Sequence, residues 1–282
     1  MRLATIIDGD GPVAALVRGD AYLPLAHADG RARSLRELAG AGSPELDRLR
    51  TWAESQPDED FRTLATARLG PVVPDPGAVF AIGLNYAAPG GAYATRPERP
   101  YVYGKLPASV GGHGDRLRWD RSLSPNVDAE VELGVVIGAR AHAVPVEQAM
   151  RHVFGYTCVD DISSRDAWLD GDQWLLGKSM PGFCPVGPSL VTADELDPTR
   201  LRLGCTVNGV AIQDGSTDQL RFSIAEVVAF LSAHVPLEPG DIIATGTPAR
   251  LAGPYPPDRH LEPGDVATVW IEGIGELTTH IA

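Results

Sequence analysis

A β-dominated α+β protein is predicted from three observations. Short, β-branched apolar runs recur along the chain, turn signals separate them, and nothing alternates strand with helix as βαβ units do. Residues 1–27 alternate apolar and polar around Gly9-Asp10-Gly11-Pro12 and Gly19-Asp20, which suggests a small antiparallel meander. Ser34 and Ser43-Pro44 mark two helix starts, the second with proline at the first helical position. The stiff stretch 71–77, Pro-Val-Val-Pro-Asp-Pro-Gly, divides a small N-terminal α+β domain (1–70) from a larger domain (78–282). In the larger domain Leu133-Gly134-Val135-Val136-Ile137 and Gly155-Tyr156-Thr157-Cys158-Val159 read as buried strands. Val207-Asn208-Gly209-Val210 has the signature of a type I′ hairpin. Ser223-Ile224-Ala225-Glu226 is a capping box opening a helix that runs to about His234. Leu237-Glu238-Pro239-Gly240-Asp241-Ile242 is echoed by Leu261-Glu262-Pro263-Gly264-Asp265-Val266, and both read as turns feeding strands. One echo is too little for a repeat architecture.

The 282 residues are 44% hydrophobic, enough for a proper core without disulfide staples. Cys158, Cys184 and Cys205 are odd in number and widely spaced, each in an apolar stretch. They read as reduced core thiols of a cytoplasmic protein. No signal peptide is apparent and no apolar run reaches membrane-spanning length. The net charge of −13 argues against nucleic acid or an anionic membrane as partner. There is no GxGxxG after a strand, no Walker A loop, no GxSxG elbow and no HExxH.

The richest chemistry lies between Asp128 and Asp166. Glu130 and Glu132 flank Val131 at the head of a strand and therefore project on one face. Adjacent carboxylates at the mouth of a buried strand repel and are costly to desolvate unless a cation sits between them. Asp161 closes the neighbouring strand and could supply a third oxygen. An all-carboxylate set suits a hard cation, Mg²⁺ first, then Mn²⁺ or Ca²⁺. The same spacing also fits a solvated edge strand with two surface glutamates. Of the 24 basic residues only Lys105 and Lys178 are lysine. Lys178, in a Gly-Lys-Ser turn, is read as a site residue; Lys105 by itself is ascribed to chance. The seven histidines are scattered and read as surface or core residues, with His113 between two glycines a partial exception.

Several separated motifs, in order, resemble the fumarylacetoacetate hydrolase family. They are Ile82-Gly83-Leu84-Asn85-Tyr86, residues 128–138, 160–166 and 173–179, and Thr245-Gly246-Thr247-Pro248. The similarity covers roughly residues 75–282, and the preceding segment resembles the small N-terminal domain often fused to it. The resemblance implies a mixed β-sandwich roll, a homodimer, and a divalent ion held by Glu130, Glu132 and Asp161. It further implies that Arg165, Lys178 and Thr247 serve catalysis, with Asn85, Tyr86 and Gln173 as additional substrate contacts. The substrate class it implies is a small dicarbonyl or 2-oxo acid. Three carboxylates leave about three of six octahedral positions for substrate and water, and a bound cation offsets the charge of a forming enolate. Arg165 would grip a carboxylate, and Lys178 would stabilise or protonate the enolate, with a pKa lowered beside a dication.

The departure is in the segment after Tyr86. Hydrolytic members carry a histidine there with an acidic partner, whereas this chain has Pro89 and no acid nearby. Asp160 replaces a usual asparagine, and Trp168 stands where a polar pocket residue is often found. The first expectation is therefore enolate chemistry without hydrolysis, in an isomerase, tautomerase, decarboxylase or cyclising enzyme. The second is a C–C hydrolase recruiting His113, Tyr93 or Lys178 as base. The third is an inactive metal-binding homologue. Residues 87–97, small and glycine-containing, are expected to form a lid.

Overall fold

The computed structural model describes every residue except 10, 31–32, 88–94, 167–173, 254–255 and 257–258. A large, mostly antiparallel sheet forms its centre. Its main strands run in the order Ala21–Pro24, Gly11–Arg18, Arg2–Asp8, Cys184–Thr192, Val153–Asp160, Val131–Ile137, Ile242–Ala244, Val79–Gly83 and Tyr101–Lys105. Ile242–Ala244 and Val79–Gly83 pair in parallel, which makes the sheet mixed. A second sheet contains Val210–Ser216, Arg202–Val207, Val266–Ile271, Gly275–Ile281 and the short Arg116–Leu117.

The central strands are covered on both faces, so their sequences are apolar without a polar alternation. Along Val131–Ile137 every residue is buried. Leu133 and Val135 join one core with Leu203, Val269 and Leu277 of the second sheet. Val136 faces the opposite way, into a core with Leu35, Leu38 and Leu49 of the N-terminal helices. Glu132 has the parity of Val136 and therefore points to that second face.

The N-terminal meander forms as three antiparallel strands. Arg2–Asp8 then pairs with Cys184–Thr192, so the central sheet continues across the 71–77 stretch. That stretch is packed, with Val72 and Val73 fully buried and Val72 donating to the Val186 carbonyl at 3.2 Å. Ser34 caps Leu35–Ala39 with a capping box through Glu37. The Ser43–Ser55 helix is capped by Gly42, which shifts Pro44 one position deeper than expected. Ser223 and Glu226 form the capping box of Ile224–His234. Asn208 and Gly209 both have positive φ, 52° and 76°, as a type I′ turn requires. The two echoed turns share one device. Asp241 accepts from the Glu238 N–H at 2.8 Å and Asp265 from that of Glu262 at 2.9 Å, with a strand beginning immediately after each aspartate. The three cysteines are buried and unbridged.

Candidate active site

Strand register brings the carboxylates together. Val131 lies opposite Asp160, so Asp161 emerges beside the head of the neighbouring strand, where its N–H donates to the Glu130 carbonyl at 2.9 Å. One oxygen from each of Glu130, Glu132 and Asp161 lies within 4.8 Å of the others. Glu132 and Asp161 are buried and Glu130 is partly so, which removes the edge-strand alternative.

Three cations surround this cluster. Lys178 bonds Asp161 and also Glu130, the latter at 3.0 Å, while Arg165 bonds Glu130. Lys105, ascribed above to chance, is buried against Asp161 and donates to the Ile162 carbonyl at 3.2 Å. Tyr103, which no sequence motif singled out, donates its hydroxyl to Asp161 at 2.7 Å. Lys178 closes a five-residue helix, Trp174–Lys178, rather than lying in a turn.

The electrostatics divide the carboxylates. Burial raises the Asp161 pKa, but Lys105 and Lys178 outweigh it and hold the group low. Burial likewise opposes ionisation of Glu130, which Arg165 and Lys178 reverse. Glu132 goes the other way: burial, then the nearby Asp161 charge, raises it well above the carboxylate range. Its carboxylate accepts from the Gly246 N–H at 2.8 Å. A buried carboxylate short of positive charge beside two others is the environment a divalent cation relieves, and the all-oxygen donor set fits a hard one. Burial lowers the Lys178 pKa, yet Asp161 and Glu130 together raise it above the ordinary lysine value. The lowering expected for Lys178 depends on a bound dication, and its carboxylate neighbours by themselves shift it upward. Behind the cluster, burial pushes Asp160 up to about 7; its Oδ1 accepts from the Glu130 N–H at 3.0 Å and its Oδ2 has no partner.

A cavity of about 270 Å³ opens over the carboxylates. Tyr86, Arg165, Lys178 and Thr247 line it, with Ile82, Trp174 and Ile212 as apolar wall. The Tyr86 hydroxyl is buried without a partner, and burial raises its pKa. Gln213 ties the two halves of the site together. Its carbonyl accepts from Val131 N–H at 2.9 Å, and its amide donates to Thr247 Oγ1 and the Pro248 carbonyl, each at 2.7 Å. Asn85 is not part of the cavity wall. Its amide donates to the Phe222 and Thr245 carbonyls and its carbonyl accepts from Phe222 N–H, so it clips two loops together. Gln173, Pro89, Tyr93 and Trp168 lie outside the described residues, as does most of the expected lid. Arg96, in the described end of that expected lid, bonds Glu226 at 2.6 Å. His113 is not among the residues that line the cavity and accepts from the Thr278 N–H at 3.3 Å.

At the outer end of the cavity stands Asp128. Arg165 Nε reaches it at 3.2 Å, Arg250 at 3.4 Å, and His260 Nδ1 at 2.8 Å. Ser164 and Asp166 bond Ser124 beneath this end and anchor the backbone on either side of Arg165.

The sequence model of the family described as Fumarylacetoacetate (FAA) hydrolase C-terminal matches residues 78–282. Among solved structures the chain is similar to the fumarylacetoacetate hydrolase of Exiguobacterium antarcticum, at 30% identity and a TM-score of 0.85, covering 100% of this chain and 99% of that one. It is similar to a 2-hydroxyhepta-2,4-diene-1,7-dioate isomerase of Mycobacterium marinum, at 30% identity and a TM-score of 0.76, covering 100% and 98%. It is also similar to a maleylpyruvate hydrolase of Sphingobium sp. SYK-6 in complex with manganese(II) and pyruvate, at 27% identity and a TM-score of 0.82, covering 100% and 99%.

Proposed function

The chain belongs to the fumarylacetoacetate hydrolase family, and on that premise we propose that it is a divalent-metal-dependent enzyme acting on a dicarbonyl or 2-oxo acid through its enolate. The observation that carries this is the convergence of Glu130, Glu132 and Asp161 within 4.8 Å, with the Lys178 ammonium bonded to two of them. These three residues would hold Mg²⁺ or Mn²⁺, the latter being the ion in the Sphingobium relative. When bound, such a cation supplies positive charge opposite a substrate oxygen and so favours loss of the adjacent proton.

The rest is assigned to side chains. Arg165 offers a guanidinium fork for the substrate carboxylate. Lys178, its ammonium bonded to Glu130 and Asp161, acts as proton donor toward the enolate. The buried Tyr86 hydroxyl and Thr247 complete the polar contacts, and Trp174 and Ile212 exclude water. Pro89, standing where hydrolytic members carry a histidine, supports isomerisation, tautomerisation, decarboxylation or cyclisation over hydrolysis. The second reading, C–C hydrolysis with a non-standard base, is favoured by the two structural relatives named as hydrolases.

The test is solvent-deuterium exchange at the carbon alpha to the carbonyl of oxaloacetate-like and acylpyruvate-like compounds, with product analysis. Exchange is expected in the wild type and should fall about 10²–10⁴-fold in Lys178→Met. Rapid C–C hydrolysis that survives Lys178→Met would instead establish the hydrolase. Absence of both exchange and turnover across the panel would leave a metal-binding homologue without activity.

A further inference from the structure

Gln213 sits where the hairpin of Arg202–Val207 and Val210–Ser216 breaks its register. Cys205 pairs with Gln213 and Thr206 with Ala211, so Ile212 is the extra residue of a β-bulge. Strict alternation would send Ile212 and Gln213 to opposite faces, yet both line the cavity, one as apolar wall and the other as a buried amide. Two backbone groups of opposite polarity fix the orientation of that amide. The Val131 N–H can only donate, so the atom facing it at 2.9 Å is the side-chain oxygen. The Pro248 carbonyl can only accept, so the atom 2.7 Å from it is the nitrogen. The second hydrogen of that nitrogen is then directed at Thr247 Oγ1, also at 2.7 Å, and the hydroxyl must accept it. Thr247 keeps one proton of its own, and among the described residues nothing accepts it. Thr247 lines the cavity, and accepting one hydrogen bond polarises a hydroxyl toward donating another.

We propose that Gln213 is a positioning residue: it occupies a lone pair of Thr247 Oγ1 from the protein side, so that the Thr247 O–H donates into the cavity, to an anionic oxygen of the substrate. This rests on the reading of the cavity as a 2-oxo acid site. Gln213 therefore acts on the substrate only through Thr247, and its two backbone contacts serve to keep the amide from turning over.

A double-mutant cycle on the Mn²⁺-loaded protein tests it, with pyruvate as probe and solvent-deuterium exchange at its methyl group as readout. In Gln213→Glu the carboxylate still accepts from Val131 but also accepts from Thr247, which turns the hydroxyl proton away from the cavity. Thr247→Val removes the hydroxyl and keeps the side-chain shape. Each change alone should lower kcat/KM about 10- to 100-fold, the worth of a hydrogen bond to a charged group. In the Thr247→Val background, Gln213→Glu should cost no more than about 2-fold further. Gln213→Met, neutral and of similar length, should show the same non-additivity without an added charge. Thr247→Ser keeps the hydroxyl and should keep both the exchange and its dependence on Gln213. Equal losses from the Gln213 changes in both backgrounds overturn the proposal, since Gln213 would then only brace Val131 and Pro248. Unaltered exchange in Thr247→Val also overturns it. If the wild type exchanges nothing, the enolate reading falls, and the same cycle is read in pyruvate affinity by calorimetry. There non-additivity upholds Gln213, while equal losses or a wild type that binds no pyruvate overturn it.

Discussion

At the scale of single residues, Glu132 and Asp160 carry the most informative predictions. Glu132 is buried with one backbone donor, so its carboxylate has most to gain from a cation. Glu132→Ala should weaken Mg²⁺ or Mn²⁺ binding by more than the roughly 10–100-fold typical of an outer-sphere partner, with the fold retained. Calorimetry showing unchanged affinity would remove this residue from the metal set. Asp160 gives a pH prediction. Its carboxyl titrates near 4 in the unfolded chain and at about 7 in the fold, because burial disfavours the charge. Between those values the folded state binds more protons, so stability falls as pH rises from about 4 to about 7 and is level above. Asp160→Asn should abolish this fall, worth up to about 4 kcal/mol, while its carbonyl can still accept from Glu130 N–H. With chelator present, thermal unfolding should show the variant gaining on wild type from pH 5 to pH 8; a parallel pair of curves would refute it. Neither Lys105 nor Tyr103 was legible as a site residue, because their partner Asp161 lies 56 and 58 positions away.

At the scale of elements, the strap Thr245–Thr247 shows how local backbone serves the site. Gly246 has φ of 104°, and a Cβ there would meet the Asn85 Cβ at 2.7 Å and the Ile82 carbonyl at 3.0 Å. Gly246→Ala should therefore cost about 1–3 kcal/mol and displace the N–H that Glu132 accepts. Denaturant unfolding together with metal titration measures both effects; a variant with wild-type stability and metal affinity would contradict them. The capping boxes, the type I′ turn and the paired Pro-Gly-Asp turns were all legible, since each is built from neighbours in sequence. The helix Trp174–Lys178 was not, as five residues carry too little periodicity to reveal it.

At the scale of the whole molecule, the central sheet argues against treating residues 78–282 as self-sufficient. Removing residues 1–77 would uncover the edge of Cys184–Thr192 and the buried faces of Val186 and Leu190, which pack with Leu3, Val72 and Val73. An exposed apolar edge of this kind aggregates. The fragment 78–282 should be insoluble or unfolded, and a soluble fragment with native circular dichroism would support the division at 71–77 as one between independent domains. The homodimer remains a proposal with a candidate surface. Tyr101, Leu106, Leu175 and Leu176 are exposed together where the Tyr101–Lys105 strand meets the Trp174–Lys178 helix. Light scattering should report a dimer that Leu176→Asp weakens; an unaltered dimer would direct attention to another face.

The sequence by itself determined the β-dominated class, the family, and the identity of three carboxylates with one lysine, because strand patterning and ordered motifs are local or additive signals. Only the tertiary structure decided which groups those carboxylates meet. Register across Val131–Ile137 and Val153–Asp160 set Asp161 beside Glu130. Packing of distant loops withdrew Asn85 into a structural clip and brought Gln213, Arg250 and His260 to the site. The same packing decided the charges, since burial and neighbours drove Glu132 and Asp161, the same chemical group a few ångströms apart, in opposite directions. Desolvation and coulombic terms depend on distances that no spacing along the chain encodes.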